Sequence, residues 1–348
     1  MKLPFLPRRF WPSAAASLFT ITAIVGGVVL LQPFLVQMAT AQGRPSGDLD
    51  VVKLRDNVYI IAGAGGNITV HIGQEGIVLV DTGTAASADK VIAELNRLTQ
   101  GKVRYIINTG ADADHVGGNG AIAKVGRTLF PGGGGGGGGV GEAVTNNGGA
   151  AILAHDNVNL RMSAPTGKQS AFPTTDWPTE TFTGKGKSVY LNGDGIQAMQ
   201  QPAAHSDADS IVFFRRADVI AAGDVFDMNR FPVIDIDNGG SIQGEIDALN
   251  RLLDLAIPPV PLVWVDARTL IVPGHGRVAD HADLTEYRDM VTIIRDRIQD
   301  LMKQGMTLDQ VKKANPTQGY RKRWGAESGQ WTTDRFVEAI YRGLSAKK

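Results

Sequence analysis

The sequence predicts an α/β fold compatible with two sheets packed face to face beneath outer helices. The first half runs strand, strand, strand, helix, strand, loop, helix, and the second half again sets short strands before helices. In addition, four apolar strands end in loops that carry Asp and His between small residues. Strand-end loops gathered on one rim are where such sheets place their sites.

The elements follow in order. Residues 51–62 alternate like a strand, and 68–72 and 76–80 are short β runs around a Gly-Gln-Glu-Gly hairpin pattern. Residues 87–99 have helical periodicity with Ser87 at the N-cap, and 103–108 form an apolar strand that enters an Asp-rich loop. Eight consecutive glycines in the segment 131–149 predict a mobile surface loop, because ordering so much glycine costs entropy. A phosphate cradle would also need Lys-Ser/Thr at a helix start, which this segment lacks. Residues 150–163 look helical, and 189–191 with 196–200 form a strand pair around Asn192-Gly193-Asp194-Gly195. Strands at 210–214, 219–222 and 269–272, an amphipathic helix at 242–256 and a long helix at 284–302 complete the pattern.

Composition narrows the function classes. At 348 residues and 43% hydrophobic, the chain can bury a sizeable core. Lys+Arg and Asp+Glu balance at 35 each, so no basic footprint points to nucleic acid or to an electrostatic membrane patch. The absence of cysteine excludes disulfides and thiolate ligands, leaving His, Asp and Glu for any metal. Lys2, Arg8 and Arg9, an apolar run over 14–31 and the Ala39-Thr40-Ala41 site predict a signal peptide at 1–41 and a periplasmic or secreted protein. The apolar run is also about long enough for an uncleaved membrane anchor; once it is cleaved, no stable membrane association is expected. A linker at 42–50, a domain at 51–305 and a C-terminal helical tail at 306–348 complete the expected organisation.

The residues that can carry chemistry sit at the strand ends. The first run, at 107–120, places Asp112, Asp114 and His115 between an apolar strand and Gly117-Gly118-Asn119. The others are Ala204-His205-Ser206-Asp207-Ala208-Asp209, Gly223-Asp224 and Pro273-Gly274-His275-Gly276. Clustered carboxylates and imidazoles are suited to a divalent metal. Asp112 has three readings: metal ligand, general base, or a turn residue capping the helix that follows. Asp207 and Asp209 read as capping residues, His71 and His155 as structural, and His281 as exposed. Arg230, shortly after Asp224, could pair an anionic group. Trp177, Trp264 and Trp331 read as core packing or as apolar pocket lining.

The run at 107–120 resembles the metallo-β-lactamase superfamily signature, His-x-His-x-Asp-His before Gly-Gly-Asn, with Gly110 and Asp112 in the places of the two leading histidines. Gly66-Asn67, Asp81-Thr82-Gly83, Ala204-His205-Ser206, Gly223-Asp224 and Pro273-Gly274-His275-Gly276 follow the superfamily's order and spacing over about residues 51–280. The resemblance implies a four-layer αββα sandwich with a metal site on the shared edge of its two sheets. It implies Asp114, His115 and His275 as ligands of one metal position, Asp224 as a carboxylate that bridges two, and His205 as an imidazole of the other. Asp81 is implied to be buried and structural, not a ligand. Gly110 has no donor, whereas Asp112 could still reach a metal. The implied cofactor is one Zn²⁺ or two, with Mn²⁺ or Fe²⁺ at the oxygen-rich altered position. The expected activity is hydrolysis of an ester, lactone, thioester or amide (a β-lactam among them) in a small-molecule substrate, with Asp112 or Asp224 as catalytic carboxylate. The alternative is a catalytically degenerate binding or scaffold protein that keeps the fold.

Overall fold

A computed structural model describes residues 49–129, 148–163, 170–260 and 268–345. The expected signal peptide, nearly all of the linker, the glycine run and Trp264 lie outside the described residues, which themselves fall within the unit Gly47–Lys348.

The first sheet has seven strands in chain order: β1 Asp50–Lys53, β2 Val58–Ala62, β3 Ile68–Gly73, β4 Gly76–Val80, β5 Val103–Ile107, β6 Ala151–His155 and β7 Glu180–Phe182. β1 to β4 pair antiparallel, and β4 to β7 run parallel. The second sheet has the order β12-β11-β10-β9-β8, built from β8 Gly186–Leu191, β9 Asp194–Gln200, β10 Ser210–Phe214, β11 Val219–Asp227 and β12 Leu270–His275. Only β11 and β12 pair in parallel there. The β8–β9 turn has Asn192 and Gly193 at φ of 56° and 70°, the left-handed pair of a type I′ hairpin.

The period-two alternation of β4 shows how the layers arise. Val78 and Val80 face inward, joining Val58, Ile60, Ile107 and Leu153 against Val212, Phe214, Ala221 and Val272 of the second sheet. Ile77 and Leu79 face outward, against Val91 and Leu95 of helix α1 (Ala88–Leu98) and Ile122 of α3 (Asn119–Val125). On the far face of the second sheet, Ile220 and Ile271 meet Leu249 and Leu252 of α5 (Ile242–Leu255) and Met290 and Ile294 of α6 (His281–Lys303). Helices, sheet, sheet, helices: this is the αββα sandwich.

Several local expectations differ from the structure. The pattern at 51–62 is two strands with a turn between them, because Leu54 and Arg55 close onto the Val58 carbonyl. Residues 150–163 begin as β6, whose fully buried apolar residues suit an interior parallel strand, and only Asp156–Met162 is helical (α4). His155 accordingly ends a strand, and its Nδ1 accepts from the Asn157 amide. Ser87 precedes α1 but does not cap it; its hydroxyl donates to the Ala64 carbonyl at 2.8 Å.

The segment after residue 305 folds as α7 (Leu308–Lys313), α8 (Arg321–Trp324) and α9 (Thr333–Ser345). Its apolar residues enter the core: Phe336 stacks on Phe231 with centroids 4.8 Å apart, and Trp324 packs edge-on to Tyr287. Among the described residues no helix is long and apolar enough to cross a membrane. Because Phe336 is fully buried, Phe336→Ala should lower unfolding free energy by about 3–5 kcal/mol. A fall in the urea midpoint at unchanged m-value would register it.

Candidate metal centre

The rim of the sandwich is tied together before any donor group is considered. Asn67 reaches from the first sheet to the second: its amide donates to the Gly274 carbonyl at 2.8 Å, and its side chain donates to the Pro273 and Gly276 carbonyls at 2.9 Å. Likewise the Ser210 amide donates to the Thr109 carbonyl at 2.7 Å. The loop after β5 is pinned by Asn119, whose side chain exchanges hydrogen bonds with Asn108 at 2.9 and 3.1 Å and accepts from Thr82 Oγ1. A short helix, α2 (Ala113–Val116), follows Asp112.

On this frame the six donors fall into two groups, Asp114 with His115 and His275, and Asp112 with His205 and Asp224. His115 lies on α2 with its ring buried. Its Nδ1 meets Asp81 Oδ2 at 2.8 Å, which turns Nε2 toward the rim. Asp81 holds this place from a left-handed backbone (φ 63°) at the end of β4, and it also accepts from the Thr109 amide and hydroxyl at 2.9 and 2.6 Å. His205, in the loop after β9, is oriented the same way by the Val233 carbonyl, 2.9 Å from its Nδ1. Asp224 comes from within β11 and His275 from the end of β12. Gly66 and Gly274 leave room for these side chains: a Cβ at either would come within 2.7 Å of His115 or 2.5 Å of Asp224.

Asp224 Oδ1 stands 3.2 Å from His115 Nε2 and 3.4 Å from His275 Nε2, and Asp114 Oδ2 is 3.3 Å from the same His275 nitrogen. His115 Nε2, His275 Nε2 and Asp224 Oδ1 are all buried without a hydrogen-bond partner. Donors about 2.0–2.1 Å from a shared tetrahedral ion stand about 3.3–3.4 Å apart, so the spacing and the unpartnered atoms both fit a metal. In the second group, His205 Nε2 faces Asp112 Oδ2 at 3.4 Å. Asp112 occupies the N-cap position of α2, but its side chain makes no capping bond. That removes the capping reading and leaves its carboxylate turned to the site.

Electrostatics follow from this geometry. Burial alone would raise the Asp224 carboxyl, but the imidazoles of His115, His275 and His205 hold it well below the ordinary range. Burial opposes charge on His115, yet Asp224 and Asp81 lift its pKa well above the usual value. For His275, Asp114 and Asp224 outweigh burial and raise the pKa to about 9. Burial pushes the Asp209 carboxyl up to about 6, although Ser206 donates to it through amide and hydroxyl.

Other expected residues have local roles. Asp207 pairs with Arg161 at 2.6 Å, and His71 is buried between Asn57 and Asn192. Arg230 is taken by Asp227 at 2.6 Å, so it is not a free anion receptor. Trp177 packs at the edge of a small core with Val158 and Met162. Trp331, by contrast, lines a cleft of about 490 Å³ that contains Asp112 and His205, together with Arg335 and Arg342 of α9. The sequence reading of the tail missed these cationic lining residues, because nothing local to 331–342 signals the site; only the fold brings them there.

An αββα sandwich with paired Asp/His donor groups on its rim defines the metallo-β-lactamase fold. Residues 61–129 match the Metallo-beta-lactamase superfamily, and the chain has the fold of that superfamily. Comparison with curated proteins gives no match. Among solved structures, the chain is similar to the stereoselective inverting sec-alkylsulfatase Pisa1 from Pseudomonas sp., at 14% identity and a TM-score of 0.57, covering 84% of this chain and 50% of that one. A double mutant of that sulfatase gives a TM-score of 0.62 over the same shares of the two chains. This chain thus spans about half the length of the sulfatase. It is also similar to a metallo-beta-lactamase from Pontibacter korlensis, at 15% identity and a TM-score of 0.51 over 70% of this chain and 99% of that one.

Since metal binding needs neutral imidazoles, uptake must displace the proton that His275 carries below about pH 9. Affinity for a divalent metal should therefore rise with pH up to about 9, with proton release on binding. Calorimetric titration in buffers of different ionisation enthalpy would measure both.

Proposed function

We propose that the protein is a metal-dependent hydrolase acting on an ester, lactone, thioester or amide. The observation that carries this reading is the convergence of His115 Nε2, His275 Nε2 and Asp224 Oδ1, buried and without hydrogen bonds, on one point of the rim. A divalent ion bound there would polarise a scissile carbonyl and lower the pKa of a coordinated water.

The residues divide the work. Asp114, His115, His275 and Asp224 offer two nitrogens and two oxygens, a donor set suited to Zn²⁺. Asp112, His205 and Asp224 offer two oxygens and one nitrogen, which favours Mn²⁺ or Fe²⁺ over Zn²⁺ in a second position. Asp224 has contacts on both sides and can serve both positions. Asp112, with its side chain 48% exposed and uncommitted to the helix, can accept a proton at Oδ2 as general base. Burial of His115 and of Asp224 Oδ1 strengthens the electrostatics between them.

Export rests on sequence alone: Lys2, Arg8, Arg9, the apolar run and Ala39-Thr40-Ala41 support a cleaved signal peptide at 1–41 and a periplasmic or secreted protein. N-terminal sequencing of the mature protein should begin at Gln42.

Metal analysis of the purified protein tests the centre. One equivalent retained in Asp112→Ala supports the position at Asp114, His115 and His275 alone; two equivalents falling to one make Asp112 a ligand. Metal content near zero under replete conditions, with no turnover of chromogenic lactone, lactam, thioester and aryl-ester substrates, would favour the scaffold alternative. Restoring the histidines should raise metal content at the second position. A Cβ at Gly110 meets only Asp112 and Asp209 oxygens at 3.7 and 3.9 Å, so in Gly110→His with Asp112→His a side chain can begin at residue 110 without displacing backbone.

A further inference from the structure

The cleft beside the metal centre carries a statement about the substrate. It holds about 490 Å³, within the usual range for small-molecule sites, roughly 300–1,000 Å³. Asp112 and His205 belong to one part of its wall; Trp331 and Arg335 belong to the chain around α9, more than a hundred residues away in sequence. Ile234, Ile236 and Ala339 make the wall partly apolar.

The charges lining this cleft are unequal in what they leave free. Glu338 is satisfied by Lys312 at 2.8 Å, and Asp237 faces Arg342 at 3.5 Å. Asp235 takes the amide and side chain of Asn238 at 3.1 and 2.6 Å, and Asp112 faces His205. Each carboxylate therefore has a hydrogen-bond or ion-pair partner, that of Asp235 being uncharged. The Arg335 guanidinium donates to the Gln330 carbonyl and makes no ion pair among the described residues; it acts on the Glu338 carboxylate only at longer range, behind Lys312. An exposed guanidinium with no direct ion pair and a fork of donors is suited to receive a carboxylate or sulfate group. Close by in the lining, Trp331 is half-buried, and its indole Nε1 is buried without a partner.

We infer that this cleft binds an organic anion, a carboxylate or sulfonate on a flat apolar body, with Arg335 holding the anionic group and Trp331 the body. Resting on the hydrolase reading, the inference specifies its substrate class: an ester-type compound with an anionic group apart from the scissile bond. Arg335 and Trp331 are then specificity-determining residues, and Asp112 and His205 face the reacting end. Of the two arginines, Arg335 dominates because Arg342 is already compensated by Asp237.

The test separates anion recognition from metal ligation by working with and without metal. Calorimetry would compare 2-naphthoate with neutral 2-naphthamide on the full chain after EDTA treatment and after metal loading. The metal-free protein should prefer naphthoate by about tenfold or more, the scale of one charge-assisted contact. Arg335→Gln should abolish that preference, Arg335→Lys should retain part of it, and Trp331→Leu should weaken both ligands. Because Arg335 is exposed on a helix, its variants should keep the wild-type fold by circular dichroism. Equal binding of acid and amide, a preference that survives Arg335→Gln, or naphthoate binding seen only with metal would each overturn the inference. Intact Arg335-dependent binding without turnover of any anionic ester would uphold the cleft and sink the hydrolase reading instead.

Discussion

Asp224 Oδ1 is a charged oxygen removed from water with no hydrogen bond, and the site is organised around that fact. An uncompensated buried carboxylate is expensive, so positive charge must be close, as protons on imidazoles or as a metal ion. His115 and His275 stand on either side of it, and each imidazole has its own support. The Asp81 carboxylate fixes the ring of His115, and β12, paired in parallel with β11, delivers His275 next to Asp224. Parallel pairing is what allows two C-terminal strand ends to share one rim, and the β4–β5 pair does the same for Asp81 and the Asp-rich loop.

The two donor groups differ in how they respond to the changes at Gly110 and Asp112. The Asp114, His115 and His275 group is built from residues the signature retains, and its orphaned nitrogens face one point. The other group keeps an oriented imidazole in His205 but trades nitrogen for oxygen, and a Cβ at residue 110 would find only carboxylate oxygens nearby. The backbone around Gly110 leaves open space on the side where a Cβ would stand. That is consistent with a site whose chemistry has shifted within an intact scaffold.

Much of this was legible in the residues. Short apolar runs located β3, β4, β5 and β10, and the Asp/His residues at strand ends marked the donors that the structure gathers. Legibility failed where tertiary context decides. Residues 151–155 are apolar enough for either helix or strand, and only their place between β5 and β7 makes them β6. Ser87 looked like a cap, but it ends a 3-10 turn with helical backbone, and its hydroxyl is turned to the Ala64 carbonyl. Asp112 looked equally fit for a turn, and the position of His205, ninety-three residues later, turns its carboxylate to the rim. Arg335 carries no local signal at all, since a cation on an amphipathic helix is ordinary until the fold shows what it faces.

The stacking of Phe336 on Phe231 has a consequence in time as well as in space. During synthesis the donor set is complete once His275 has emerged, whereas the cleft wall at Trp331 and Arg335 arrives dozens of residues later. N-terminal elements generally fold first as a chain is made. The segment around α9 supplies both the Phe336 ring that covers Phe231 and the Trp331–Arg335 side of the cleft, so ligand selectivity and final stability rest on the same piece of chain.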